Sequence, residues 1–157
     1  MRKMRRIKKE KPVLKGPNRQ YNFMKHWRTI RYFYKRKYGL SESELEVILY
    51  LYDEPQFSRE DFFLASNTMH WKKDRFYDLR ERGFIVVWRE KNEVPNRKAL
   101  YQLSDKTKRM CNSIYKKLLG EERISEDLYN NPIMRGETYT DKVYRMAIRK
   151  MNAAKNK

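Results

Sequence analysis

The sequence is poor in cysteine: among its 157 residues, Cys111 stands alone. A single cysteine excludes a disulfide within the chain, which is consistent with a reducing compartment. Cys111 shares a helical face with Met110, Ile114, Tyr115 and Leu118. This pattern predicts a thiol in the core rather than a redox sensor, because apolar surroundings favour the protonated form.

Long apolar runs are also missing. No apolar run in the sequence is long enough for a helix that crosses a bilayer. Met1-Arg2-Lys3 leads into further charge instead of the apolar centre of a signal peptide. We therefore expect a soluble protein with no membrane partner. Its expected location is the cytoplasm, in association with the nucleoid.

Groups that carry out catalysis are scarce. The two histidines, His26 and His70, lie in separate predicted helices, and no pair of Cys or His has metal-ligand spacing. The five glycines form no loop that could hold a phosphate. The densest acids lie at one helix end and the next helix start: Asp53, Glu54, Glu60 and Asp61. The helix dipole explains acids at a helix start, so we expect no enzyme, no metal and no cofactor.

Positive charge is present in excess. The chain holds 38 lysines and arginines against 20 aspartates and glutamates, a net charge of +18. Residues 1–40 contain 15 of these cations and one acid, Glu10, whereas residues 41–157 contain 23 cations and 19 acids. A basic arm beside a nearly balanced domain favours binding to nucleic-acid phosphates, because binding releases counterions. The alternative is an arm that only keeps the protein in solution.

The clearest structural pattern is that of a winged helix-turn-helix in the middle of the chain. A first helix is predicted to begin at Ser58, which can cap it with Asp61 three residues on, and to end at a turn over residues 66–67. A second helix is predicted from Thr68 to Gly83, where a glycine can adopt the positive φ that ends a helix.

Beyond this second helix the apolar period changes to two. In the first run, Ile85, Val87 and Arg89 fall on one face and residues 86, 88 and 90 on the other. In the second run, Ala99, Tyr101 and Leu103 fall opposite residues 100 and 102, and a polar tip separates the two runs. The two runs therefore predict a β-hairpin, the wing, after which Ser104 caps another helix.

Two motifs of this segment resemble the MarR family of winged-helix DNA-binding proteins. Arg82-Gly83-Phe84-Ile85 is similar to the family's R-G-[LF]-[IV] at the end of the recognition helix, and Leu103-Ser104-Asp105-Lys106 looks like its L-T-[DE]-K after the wing. The resemblance covers about residues 41–119. It implies a twofold dimer whose recognition helices enter successive major grooves, and family members often sense small aromatic molecules at the dimer interface. No effector is identified from this sequence.

The wing departs from the family pattern. The family usually has Asp-x-Arg or Asp-Arg-Arg there, whereas Pro95 and Asn96 occupy the first positions here and only Arg97 fits. We therefore expect Lys91, Arg97 and Lys98 to contact phosphates and the shallow groove without sequence preference.

The helix predicted from Thr68 is the candidate recognition helix. Its candidate DNA contacts are Thr68, His70, Trp71, Lys72, Lys73 and Arg75. Lys73 and Arg75 are the strongest candidates for guanine or phosphate contacts. Trp71 either presses on DNA or fills a gap beneath the helix, and His70 either donates to a phosphate or has no role. Its expected anchors in the core are Met69, Phe76 and Leu79.

Further helices are predicted on the N-terminal side. One runs from Tyr21 to about Tyr38 with an apolar stripe of Phe23, Trp27, Ile30 and Tyr34. Its basic face includes Arg28 and Arg31, which either touch phosphate or are solvated. Ser41 and Glu44 then predict a capping box for the next helix.

The C-terminal part is predicted to contain two helices joined by an irregular crossing. The first runs from Ser104 to Leu119 and ends at Gly120, and residues 121–139 then form a short helix at most. The last helix is predicted from Thr140 to about Asn152. It has an apolar strip of Tyr144, Ala147, Ile148 and Met151.

The predicted fold class is mainly α with a small β-hairpin wing, a winged helix-turn-helix with flanking N- and C-terminal helices. Three regions are expected: a disordered basic arm at 1–19, the winged-helix domain at 20–120, and a segment at 121–157 for dimerisation. A homodimer through the terminal helices is favoured over a monomer in which these helices pack on their own core.

The sequence thus predicts a regulator of transcription that binds double-stranded DNA. In the alternative, the same fold serves an architectural, virion- or replication-associated protein that binds nucleic acid or a polymerase without strong sequence preference. A steep ratio of specific to non-specific affinity would distinguish the regulator.

Overall fold

The computed structural model describes residues 23–91 and 97–154, which form a mainly helical fold with one antiparallel hairpin, compatible with a winged helix. The predicted arm at 1–19 and most of the wing tip lie outside the described residues. In chain order the elements are α1 (Phe23–Tyr38), α2 (Glu42–Leu51), α3 (Arg59–Met69), α4 (Arg75–Glu81), β1 (Ile85–Arg89), β2 (Leu100–Leu103), α5 (Asp105–Leu118) and α6 (Tyr139–Ala154).

Local signals in the sequence set most helix starts. Ser41 and Glu44 form a reciprocal capping box at α2, and Ser58 and Asp61 form another at α3, so both predicted boxes are confirmed. Each box satisfies two backbone N–H groups that would otherwise lack a partner. Gly83 has a φ of +82°, as expected for the residue that reverses the chain between α4 and the wing.

The predicted hairpin is confirmed, with one strand contact that the sequence pattern did not indicate. β1 and β2 are antiparallel, with Ile85 opposite Leu103 and an irregularity between Val87 and Arg89. In addition, the N–H of Phe57 donates to the carbonyl of Tyr101 at 2.9 Å, and the reverse bond is 2.8 Å. This bridge attaches the segment before α3 to the hairpin.

The boundary between the two central helices differs from the prediction. α3 continues through Thr68 to Met69, and the hydroxyl of Ser66 donates to the carbonyl of Phe63 within the helix. His70 then adopts a left-handed conformation with a φ of +56°, and α4 begins only at Arg75. Met69, predicted as an anchor of the second helix, is therefore an exposed residue of the first.

The C-terminal segment packs into the same core as the winged helix. Ile124 and Ile133 of the irregular crossing and Ile148 and Met151 of α6 are buried in that core. The strip predicted for dimerisation is therefore largely covered within the chain, since Tyr144 also stacks on a tyrosine of α1 at 4.1 Å between ring centroids.

A hydrogen-bonded carboxylate fixes α6 against α1. Asp141 is buried and accepts bonds from the hydroxyl of Tyr32 at 2.7 Å and from the guanidinium of Arg36 at 3.1 Å. A side chain at position 136 would overlap this carboxylate, which explains the glycine there. Burial raises the pKa of Tyr32 to about 12, and its bond to Asp141 adds to that shift.

The cysteine lies in the core, as predicted. Cys111 is fully buried on α5, and burial raises the pKa of its thiol to about 12. In the described part of the chain, no helix combines the length and the apolar character that crossing a membrane requires.

Candidate nucleic-acid interface

α4 is a short helix held to the core by one face. Phe76 and Leu79 are fully buried, which confirms two of the three predicted anchors. Helical spacing places four exposed residues on the opposite side: Asp74, Tyr77, Asp78 and Glu81. This exposed face therefore carries three carboxylates and a phenol, not the basic side chains that the sequence pattern led us to expect.

The two arginines that begin and follow α4 are bound to one carboxylate of α2. Arg75 donates to Glu44 Oε1 at 3.0 Å, and Arg82 donates to Glu44 Oε2 at 3.1 Å. Arg82 also donates to the carbonyl of Gly39 at 2.7 Å. The guanidinium of Arg75 is thus engaged by a carboxylate whose side chain is only 8% exposed, and its DNA contact stays a prediction.

Glu44 combines a capping role with an ion-pair role. Burial alone would raise the pKa of its carboxyl, but bonds from the Ser41 N–H and from Arg82, together with the charge of Arg75, lower it below the usual range. The carboxylate thus joins the start of α2 to both ends of α4. This arrangement fixes the angle of α4 against the helices behind it.

The turn between α3 and α4 contains most of the predicted contacts. Thr68 is an exposed residue in the last turn of α3, and His70 ends that helix. Lys72 and Lys73 are exposed in the turn that leads into α4. These four side chains lie before α4 instead of along it, which is a correction to their predicted position.

Trp71 belongs to the core. Its ring packs on Phe62 at 5.8 Å and on Tyr50 at 5.3 Å between centroids, and the residue is buried. The left-handed turn at His70 allows this burial, because it redirects the chain towards the core. Of the two interpretations of Trp71, the structure supports the gap-filling residue and contradicts the DNA contact.

Two residues of this surface, Arg59 and Tyr77, escaped the sequence analysis. Arg59 and Lys73 both lie over the ring of Phe63, at 6.0 and 5.5 Å from its centroid. Arg59 also donates to the hydroxyl of Tyr77 at 3.4 Å, which joins the start of α3 to the exposed face of α4. A signal was available for Arg59, since a cation in the first turn of a helix is unfavourable to the dipole and suggests another use.

The wing supplies a second group of cations. Lys91, Arg97 and Lys98 are all exposed, and Arg89 donates to the carbonyl of Lys98 at 3.1 Å. The pKa of Glu60 is lowered mainly by a hydrogen bond from the backbone N–H of the same residue, and the charge of Lys98 lowers it further. That electrostatic contact places the base of the wing near the start of α3.

The basic face of α1 is partly neutralised. Arg31 forms an ion pair with Glu42 at 2.5 Å and lies 6.0 Å from the centroid of Trp27, so it is engaged within the fold. Arg28 is exposed. Of the two contacts predicted on α1, only Arg28 remains well placed to meet a phosphate.

Charge is unevenly divided along the described chain. Residues 23–38 of α1 contain six lysines and arginines and no acid, whereas residues 42–91 contain eight cations and eleven acids. The helix-turn-helix is thus slightly acidic. Its eight cations are Arg59 on α3, two lysines in the turn (Lys72 and Lys73), three arginines in or next to α4 (Arg75, Arg80 and Arg82), and Arg89 and Lys91 in the wing.

Comparison with known proteins yields little. No protein-family model matches the chain. No curated protein matches its sequence significantly. A solved structure of disulfide-formed AbfR is similar over 86% of this chain and 88% of its own, with a TM-score of 0.42 and 13% sequence identity. That TM-score is too low to establish a common fold, so the function has to be inferred from the geometry of this chain.

Proposed function

We propose that this chain is a double-stranded DNA-binding protein of the MarR-like winged helix-turn-helix type that regulates transcription. The supporting observation is the arrangement of charge around α4. Its exposed face offers hydrogen-bond acceptors, and cations lie at the turn, on α3 and on the wing. In this proposal the chain acts by binding and not by catalysis, in the cytoplasm and in association with the nucleoid.

The chemistry of the major groove suits that arrangement. Phosphates line the two edges of the groove, while its floor presents the amino groups of cytosine N4 and adenine N6. The DNA backbone would be bound on one side by the cations of the turn and of α3, which are Lys72, Lys73 and Arg59. On the wing side it would be bound by Lys91, Arg97 and Lys98. Asp78, beside Tyr77 on the exposed face, would accept a hydrogen bond from a base amino group.

The test begins with protection mapping of the full chain on genomic fragments at physiological salt, which identifies the best site. Binding of wild type and of Asp78→Ala is then measured on that site and on a scrambled duplex. We expect Asp78→Ala to reduce the preference for the mapped site by about tenfold, as loss of one good base contact costs about 1–3 kcal/mol.

Asp53→Ala is the matched control, because Asp53 is an exposed acid in the turn after α2 and the substitution changes net charge equally. It should leave the preference unchanged. A wild-type protein that protects no fragment over competitor DNA would contradict the proposal of a sequence-specific regulator.

A second candidate function is an architectural or replication-associated protein that coats nucleic acid or holds a polymerase. The exposed cations of the turn and the wing favour it, because contacts to phosphates position a protein on nucleic acid without reading its sequence. Such a protein would show strong, salt-sensitive affinity with nearly equal binding to all duplexes.

We also propose a homodimer, but through a different surface from that predicted. α6 carries a second apolar stripe opposite its buried side, formed by Tyr139, Val143 and Met146. These side chains are 82%, 44% and 71% exposed. Their spacing of four and three residues places them on one helical face, which a second copy of the chain could cover.

A further inference from the structure

A basic cavity lies between α1, α5 and the segment that follows α5. Its volume is about 360 Å³, and its walls include Lys37 and Tyr38 of α1 and Lys106 and Arg109 of α5. Arg123 closes one side. A cavity of this size is at the lower end of the range for small-molecule sites.

The three cations at the mouth of the cavity, Lys37, Lys106 and Arg109, form no ion pair among the residues that the structure describes. The ammonium groups of Lys37 and Lys106 lie 5.8 and 6.0 Å from the centroid of the same ring, Tyr38. Arg109 is exposed beside them and forms no ion pair in the described chain. Three like charges that converge on one cavity repel one another, and an anion between them would relieve that repulsion.

The acid in the wall, Glu122, is already paired with a cation. Glu122 accepts a bond from the ammonium of Lys117 at 2.5 Å and another from the hydroxyl of Ser113 at 2.7 Å. Burial would raise the pKa of Glu122, but these bonds lower it, so the carboxylate stays ionised as the partner of Lys117. The cations at the mouth are thus left to attract a ligand from solution.

The cavity chemistry distinguishes between kinds of anion. Tyr38 stacks on Tyr34 with a centroid distance of 6.0 Å and an angle of 6°, and two ammonium groups lie within 6.0 Å of its own centroid, so positive charge surrounds the ring. A compact group with several negative oxygens can bridge lysine and arginine at once. Phosphate and pyrophosphate groups have that charge density, whereas a single carboxylate does not.

We propose that this cavity binds the phosphate group of a small phosphorylated molecule through Lys37, Lys106 and Arg109. The ligand class is a compact phosphate ester or diphosphate, and the site is separate from the face of α4 proposed for DNA. Binding there does not depend on the proposed function, because the measurement below contains no DNA.

The probe is inorganic pyrophosphate, titrated into the full chain by calorimetry at constant ionic strength. We expect one saturable site whose affinity falls about tenfold in the double variant Lys106→Gln and Arg109→Gln, a loss typical of charge-assisted bonds. Both residues are exposed, so the double variant should keep the wild-type unfolding midpoint.

The matched control is Lys142→Gln with Lys150→Gln, which removes the same charge from exposed positions of α6. Diffuse attraction to a protein of net charge +18 would weaken equally in both double variants, and that result would overturn the proposal. Absence of saturable binding would also overturn it.

Discussion

Arg75 and Glu44 form a 3.0 Å ion pair that joins the first residue of α4 to α2, across 31 positions of sequence. The guanidinium is 28% exposed and the carboxylate 8%. The pair therefore stabilises the orientation of α4 against α2. It gives the first testable prediction.

Glu44→Gln should destabilise the fold by about 1–3 kcal/mol at neutral pH, because two arginines lose a partly buried charged partner. The folded-state pKa of Glu44 lies below its ordinary value of 4.5, so its contribution is present above that value and disappears as the pH falls through the folded pKa. Urea unfolding at pH 7 and at pH 3 measures the loss of stability and its dependence on pH. The difference in the free energy of unfolding between Glu44→Gln and wild type should shrink at pH 3. The substitution Glu46→Gln, at an exposed position of the same helix, should leave the free energy of unfolding unchanged at either pH.

Arg75→Ala and Lys73→Ala should affect different properties, the first stability and the second DNA binding. Arg75→Ala should lower the free energy of unfolding by about 1–2 kcal/mol, since it breaks a charged hydrogen bond. Lys73→Ala should leave stability unchanged and weaken binding to all duplexes alike, with a salt slope reduced by about 0.9 for one lost phosphate contact. Equal stability of the two variants would refute this division.

Removal of residues 2–15 should weaken binding to every duplex and flatten its salt dependence. The arm lies outside the described residues, so this expectation rests on its charge. Each lost phosphate contact should reduce the slope of log K against log salt by about 0.9. Lys142→Gln with Lys150→Gln serves as a comparison for general charge loss, and an unchanged slope after truncation would show that the arm does not contact DNA.

Arg97→Ala should cost affinity with little change in preference for A·T pairs beneath the wing. A wing arginine needs a neighbouring carboxylate to hold it in a narrow minor groove, and Arg97 has no aspartate beside it in the sequence. The measurement compares two duplexes that differ only beneath the wing, at one salt concentration. A strong A·T preference in wild type that the variant loses would mean that Arg97 enters the minor groove after all.

Met146→Asp should shift the protein towards monomer in sedimentation equilibrium, because it places a charge at the centre of the exposed α6 stripe. Its unfolding midpoint should stay near that of wild type. Ile148→Asp is the contrast, since Ile148 is fully buried and a charge there should unfold the chain. Wild type that remains monomeric at all accessible concentrations would exclude the proposed dimer.

Locally encoded features were predictable from sequence. The capping boxes at Ser41 and Ser58 and the chain reversal at Gly83 depend on residues within four positions of one another, so spacing alone identified them. The hairpin followed equally well from its period of two.

Features that depend on distant partners were not predictable. The start of α4 was misplaced because the burial of Trp71 against Tyr50 and Phe62 decides it, and the turn at His70 has no local signal of its own. Arg75 looked like a DNA contact because its partner Glu44 is distant in sequence. The apolar strip of α6 was identified correctly, but its pattern could not say whether its own chain or a second copy covers it.

The bond between Tyr32 and Asp141 also bears on how the protein is made. The two residues are 109 positions apart, so α1 leaves the ribosome long before the carboxylate that fixes it has been synthesised. Until α6 emerges, the hydroxyl of Tyr32 and the guanidinium of Arg36 lack their buried acceptor, and part of the apolar side of α1 lacks cover. A translation product that stops before α6 would keep the bonds of Tyr34 on α1 to Ser113 and Lys117 of α5, but it would leave Tyr32 and Arg36 without their acceptor, which makes it a target for chaperones and proteases.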